Sequence, residues 1–121
     1  MLAMNDAVRA YATAAGHRGL REQEADVFRR VIGALRRARD GGGSLERVRA
    51  LAEDDLLWLT VIGLLRDPAN QLPESVRAPL VGIGLAVQRE IQRESPDLHF
   101  LIAVNENIAA ALSGETATPS A

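Results

Sequence analysis

Apolar residues recur along this chain at spacings of three and four, the period of a helix, and no run shows the alternation of a strand. The clearest stripe, Phe28, Val31, Ile32, Leu35 and Ala38, predicts a helix from about Leu20 to Arg39. Its other face carries Arg29, Arg30, Arg36 and Arg37, with Glu22 and Asp26 nearer its start, an order that suits the helix dipole. Asp26 stands four residues before Arg30, its expected ion-pair partner. Asp40-Gly41-Gly42-Gly43 stops this helix, and Ser44 is suited to cap the next. The pattern from Leu45 to Arg66 changes midway: Val48, Leu51 and Ala52 mark one stripe, whereas from Leu56 to Leu65 almost every position is apolar. A helix surrounded on most sides reads this way, so the Leu56–Leu65 segment, which includes Trp58, is expected to be the most buried element.

Pro68 ends that helix and Pro73 is suited to begin another, which runs to about Glu94 with Val76, Leu80, Ile83, Val87 and Ile91 as its stripe. Pro79 falls in the first turn if this helix starts near Ser75, and implies a kink if it starts at Pro73. Gly82 and Gly84 would let a neighbouring helix approach closely. Ser95-Pro96-Asp97 is a restart: a cap, a proline at the first helical position and an acid in the first turn. The last helix carries Leu98, Leu101, Ile102, Ile108 and Leu112 and stops at Gly114. Before all of these, Asn5–Ala15 has Val8, Tyr11 and Ala12 on one side, a helix of about three turns that must dock on the body or on a partner, or fray. His17-Arg18-Gly19 separates it from the rest. The short connections favour an all-α antiparallel bundle of four long helices plus a short N-terminal helix. Residues 1–19 form the short helix and linker, 20–113 the helical domain, and 114–121 a solvated tail.

A chain of 121 residues has room for one domain, and 47% hydrophobic with 25% charged residues is the balance of a globular protein. The absence of cysteine excludes disulfides and thiolate zinc sites. The longest apolar run, Leu56 to Leu65, is interrupted by Thr60 and falls short of the roughly 20 residues that span a bilayer. Met1 to Ala15 carries Asp6 and Arg9 in place of a basic start and an unbroken apolar run, so a cytoplasmic protein without membrane insertion is expected. A net charge of −2 argues against a dedicated nucleic-acid binder, though residues 1–50 hold ten arginines against six acids and residues 51–121 four against ten. All the basic residues are arginine, which a GC-rich genome explains; the functional alternative is an arginine face that pairs with carboxylates or phosphates.

Catalytic chemistry finds no support. His17 and His99 each lack a second histidine or a cysteine at ligand spacing, so no metal site or general base is assigned. Glu53-Asp54-Asp55 are consecutive, diverge around a helix and read as a solvated face. Gly41-Gly42-Gly43 lacks the lysine and spacing of a phosphate loop. No catalytic residue, cofactor or metal is therefore expected, and the chain reads as a non-enzyme. RNA readers stack bases on aromatic rings, and here Phe28 and Trp58 lie on apolar stripes, leaving Tyr11 and Phe100, so direct RNA binding is disfavoured. Asn105 sits on the apolar stripe between Ile102 and Ile108, where a paired amide would fix helix register.

Arg21-Glu22-Gln23-Glu24-Ala25 with Phe28-Arg29-Arg30-Val31 and Ala34-Leu35 is similar to the first long helix of the FlaF family of bacterial flagellar proteins. Asp67-Pro68-Ala69-Asn70-Gln71-Leu72-Pro73, with Trp58 upstream, resembles its inter-helix loop. Gly84-Leu85-Ala86-Val87-Gln88-Arg89-Glu90 and Leu101-Ile102-Ala103-Val104-Asn105-Glu106-Asn107-Ile108 resemble its last two helices, while Pro79 departs from the pattern. The resemblance spans about Tyr11 to Gly114 and implies a protein of alphaproteobacterial type needed for flagellin production or export. It implies flagellin as a partner, and the regulator FlbT, which acts on flagellin messenger RNA. Two roles follow: an export chaperone for flagellin, or a post-transcriptional regulator acting with or against FlbT. Tyr11, Arg21, Glu24, Arg29 and Arg36 are the candidate partner contacts, and Phe28, Trp58, Asn70, Pro73 and Asn105 the candidate structural residues.

Overall fold

The computed structural model describes residues 18–113, with side chains from residue 24 onward; the helix expected over Asn5–Ala15 and the tail at 114–121 lie outside this range. It contains four helices, α1 (Arg18–Arg39), α2 (Ser44–Arg66), α3 (Glu74–Ile91) and α4 (Leu98–Leu112), and no strand among the described residues. Pairs of contacting residues fix the directions. Phe28 meets Trp58 and Arg37 meets Glu46, so α1 and α2 are antiparallel. Gly84 lies against Ile62 and Arg77 reaches the Leu65 carbonyl, which sets α3 antiparallel to α2. Arg47 donates to the Pro96 carbonyl at 3.1 Å and Trp58 bonds to Asn105, so α2 and α4 run the same way. A core of Phe28, Ile32, Leu35, Trp58, Leu65, Leu80, Val87, Leu101 and Ile108 joins all four.

The helix ends follow local chemistry, with several departures from the sequence reading. Helix α1 begins at Arg18, inside the break expected at 17–19, and ends where Gly41 takes φ +106°, a conformation that favours glycine. Asp26 pairs with Arg29 at 2.9 Å, not with Arg30, since residues three apart also share a helix face. Helix α2 is preceded by Gly43 as its cap, and Ser44 is already helical, so the expected Ser44 cap is absent. Pro73 caps α3, accepting from the backbone N–H groups of Val76 and Arg77. Pro79 therefore lies in the second turn, and the helix continues through it to Ile91, three residues short of Glu94. At α4 the cap is Asp97, whose carboxylate accepts from the Phe100 N–H, and not Ser95; Pro96 stands outside the helix.

The largest departure concerns α2. Leu56, Leu59 and Leu64 are more than half exposed, so Leu56–Leu65 is not the most buried element. Val48 and Ala52 are exposed as well. Four described helices cannot surround one of their number, and only the side of α2 that faces the others is covered.

Candidate functional site

Helix α2 has two faces. The inner one, Ala50, Asp54, Trp58, Ile62 and Leu65, is buried and repeats at about one residue per turn. The Trp58 and Phe28 rings meet edge to face, with centroids 5.8 Å apart and planes at 79°. On the α3 side, a Cβ at Gly84 would lie 2.8 Å from Ile62 and 3.0 Å from the Trp58 ring; the missing side chain lets the two helices close here.

A polar relay crosses this core. The Trp58 indole N–H donates to Asn105 Oδ1 at 2.8 Å, and Asn105 Nδ2 donates to Asp54 Oδ1 at 2.8 Å. All three residues are buried, and Asp54 Oδ2 finds no partner. Burial pushes the Asp54 carboxyl up to about 6, helped by the charge of Asp55 and opposed by the Asn105 hydrogen bond. This corrects the reading of Glu53-Asp54-Asp55 as wholly solvated: Glu53 is exposed and Asp55 half-buried, but Asp54 belongs to the core. Its place one turn from both Ala50 and Trp58 is the signal that could have marked it as a core position.

The outer face is apolar too. Leu45, Val48, Ala52, Leu56, Leu59 and Gly63 recur at spacings of three and four and are all exposed. Leu45, Val48, Leu56 and Leu59 are each about 60% accessible, an unusual amount for large apolar side chains along one line. The stripe follows nearly the whole 23-residue helix, about 35 Å long.

The contact residues read from sequence are scattered differently. Tyr11 lies outside the described residues, and the Arg21 side chain is not among those described. Glu24 is half-buried, and Arg29 is engaged with Asp26. Arg36 bonds to Glu106 across the α1–α4 contact. The exposed side of α1 is therefore charged, and the large apolar surface lies on α2, whose residues the sequence reading assigned to the interior. Asn70 holds the α2–α3 connection: its Nδ2 donates to the Leu64 carbonyl at 2.8 Å and its Oδ1 accepts from the Leu72 N–H at 2.9 Å. His99 is exposed, and among the described residues no group of histidines and acids is placed to hold a metal ion. No described helix is long and apolar enough to cross a membrane.

No curated protein and no solved structure matches the chain. The family model described as flagellar protein FlaF matches residues 7–112, almost the full length and all four helices, and the chain belongs to that family.

Proposed function

We propose that this flagellar protein is a non-enzymatic cytoplasmic factor that binds flagellin and accompanies it to the export apparatus. The observation that carries the reading is the exposed apolar stripe on α2, which a bundle of this size has no internal use for. Flagellin ends are long amphipathic helices that must not polymerise early, and a helical face of matching length covers such a segment by side-to-side packing. Two of the four aromatic rings that could stack on RNA, Phe28 and Trp58, are consumed by the core, which favours protein over RNA as the ligand.

The test mixes the purified chain with monomeric flagellin. A soluble complex and delayed polymerisation are expected, both lost in Leu56→Glu. The regulatory reading, in which the chain acts with or against FlbT, makes a different forecast. In a strain lacking this protein, filaments would return when flagellin messenger is supplied with a heterologous leader. That rescue, together with no detectable flagellin complex, would overturn the chaperone reading.

A further inference from the structure

We propose that the outer face of α2 is self-complementary and that in the free protein it pairs with the same face of a second copy, antiparallel, about a two-fold axis at Ala52. The stripe is symmetric about that residue. With Ala52 against its own copy, Leu45 falls opposite Leu59 of the second copy and Val48 opposite Leu56, so each large side chain meets another. The small alanine at the centre lets the two helices approach toward the lower end of the usual 8–10 Å axial separation.

Charge is compatible with this register, in which the two Glu53 carboxylates come within about 3 Å of each other along the axis and the two Arg49 side chains flank them. Arg49 and Glu53 are exposed on one edge of the stripe, and neither forms a hydrogen bond or ion pair with a described residue. In an antiparallel pair like edges face each other, so Arg49 of each copy stands beside Glu53 of the other, about 3 Å apart along the axis, twice by symmetry. On the opposite edge, Asp55 faces Val48 of the second copy and lies about 9 Å along the axis from its own counterpart, far enough for solvent to screen the repulsion.

The N-terminal segment is the other occupant within the chain; the apolar positions of its one side, Val8, Tyr11 and Ala12, span five residues of sequence against nineteen from Leu45 to Gly63, which favours a second copy. Four turns of paired helix bury less than a standard stable interface, so the pairing is reversible and depends on concentration. A flagellin helix would then displace the second copy. That exchange rests on the proposed function, whereas the pairing does not.

Sedimentation equilibrium of the full chain, with no flagellin present, tests the pairing, and far-ultraviolet circular dichroism checks that each variant folds. The wild type should pass from one chain to two as concentration rises. Leu56→Glu should remain a single chain throughout, and Arg49→Glu should weaken pairing by about tenfold. The double variant Arg49→Glu/Glu53→Arg should recover it. A wild type that stays monomeric up to its solubility limit overturns the proposal, as does a dimer indifferent to Leu56→Glu. Failure of the double variant to recover rejects this register. If the intact chain is monomeric and pairing appears only after deletion of residues 1–15, the N-terminal segment is the occupant and the proposal fails.

Discussion

Asp54→Asn should remove most of a pH dependence that the buried carboxyl imposes on stability. In the folded chain the Asp54 carboxyl titrates at about 6, against 3.8 for an unperturbed aspartate. The folded state thus holds this proton more tightly than the unfolded state. The cost of burying the charge is absent below 3.8, grows as pH rises through the window up to about 6, and is complete above it. A displacement of about two units corresponds to about 3 kcal/mol, a large part of the stability of a small domain. Asparagine keeps an oxygen to accept from Asn105 and carries no charge. Its amide nitrogen would replace Oδ2, which has no partner now, adding an offset of about 1–3 kcal/mol that does not vary with pH. The informative quantity is therefore the change in the difference between the two proteins. Urea unfolding followed by Trp58 fluorescence, at intervals from about pH 4 to pH 8, should show the wild type losing about 2–2.5 kcal/mol relative to the variant as pH rises. A difference that stays constant to within about 0.5 kcal/mol across that range would refute the reasoning.

Other expectations follow from the same core. Trp58→Ala removes the largest fully buried side chain and should destabilise by about 3–5 kcal/mol in urea unfolding, while an emission maximum of wild-type Trp58 typical of indole in water would contradict its burial. Gly84→Ala should cost about 1–2 kcal/mol despite alanine's better helix propensity, because the new methyl forces Ile62 or the Trp58 ring to shift; a gain in melting temperature would show that α2 and α3 are free to move apart.

Sequence showed where helices form more clearly than which way they face. In α1 the apolar residues occupy one side, so Phe28, Ile32 and Leu35 could be assigned to the core by period alone. In α2 they occupy two opposite sides, and Leu56–Leu65 reads as uniformly apolar whether the helix is enclosed or merely two-faced. Only the number of neighbours separates the two cases, and among the described residues three helices do not enclose the fourth. Asn105 was visible as a polar interruption in an apolar stripe, but Asp54 was hidden between two other acids. Charge alone suggested solvent there, and only the one-turn interval to Trp58 pointed inward. Caps were legible to within a residue or two: Gly43 takes the place expected for Ser44 without a side-chain bond, and Asp97 takes that expected for Ser95 through its own carboxylate.

The connections differ in what they would tolerate from an experimenter. Between α2 and α3, Asn70 clasps the Leu64 carbonyl and Arg77 donates to the carbonyl of Leu72, so foreign residues inserted there would pull apart several bonds at once. Between α1 and α2 the chain crosses on glycine. Gly42 is fixed, because a side chain there would strike Glu46 and the Arg37 carbonyl, whereas Gly43 has open space around it. A fluorescent or affinity tag on a flexible linker, spliced between Gly42 and Gly43, leaves both helix ends as they are. A ten-residue linker should lower stability by about 1 kcal/mol through loop closure. The splice site lies next to Leu45, at one end of the apolar stripe, so the tag would report on whatever settles there.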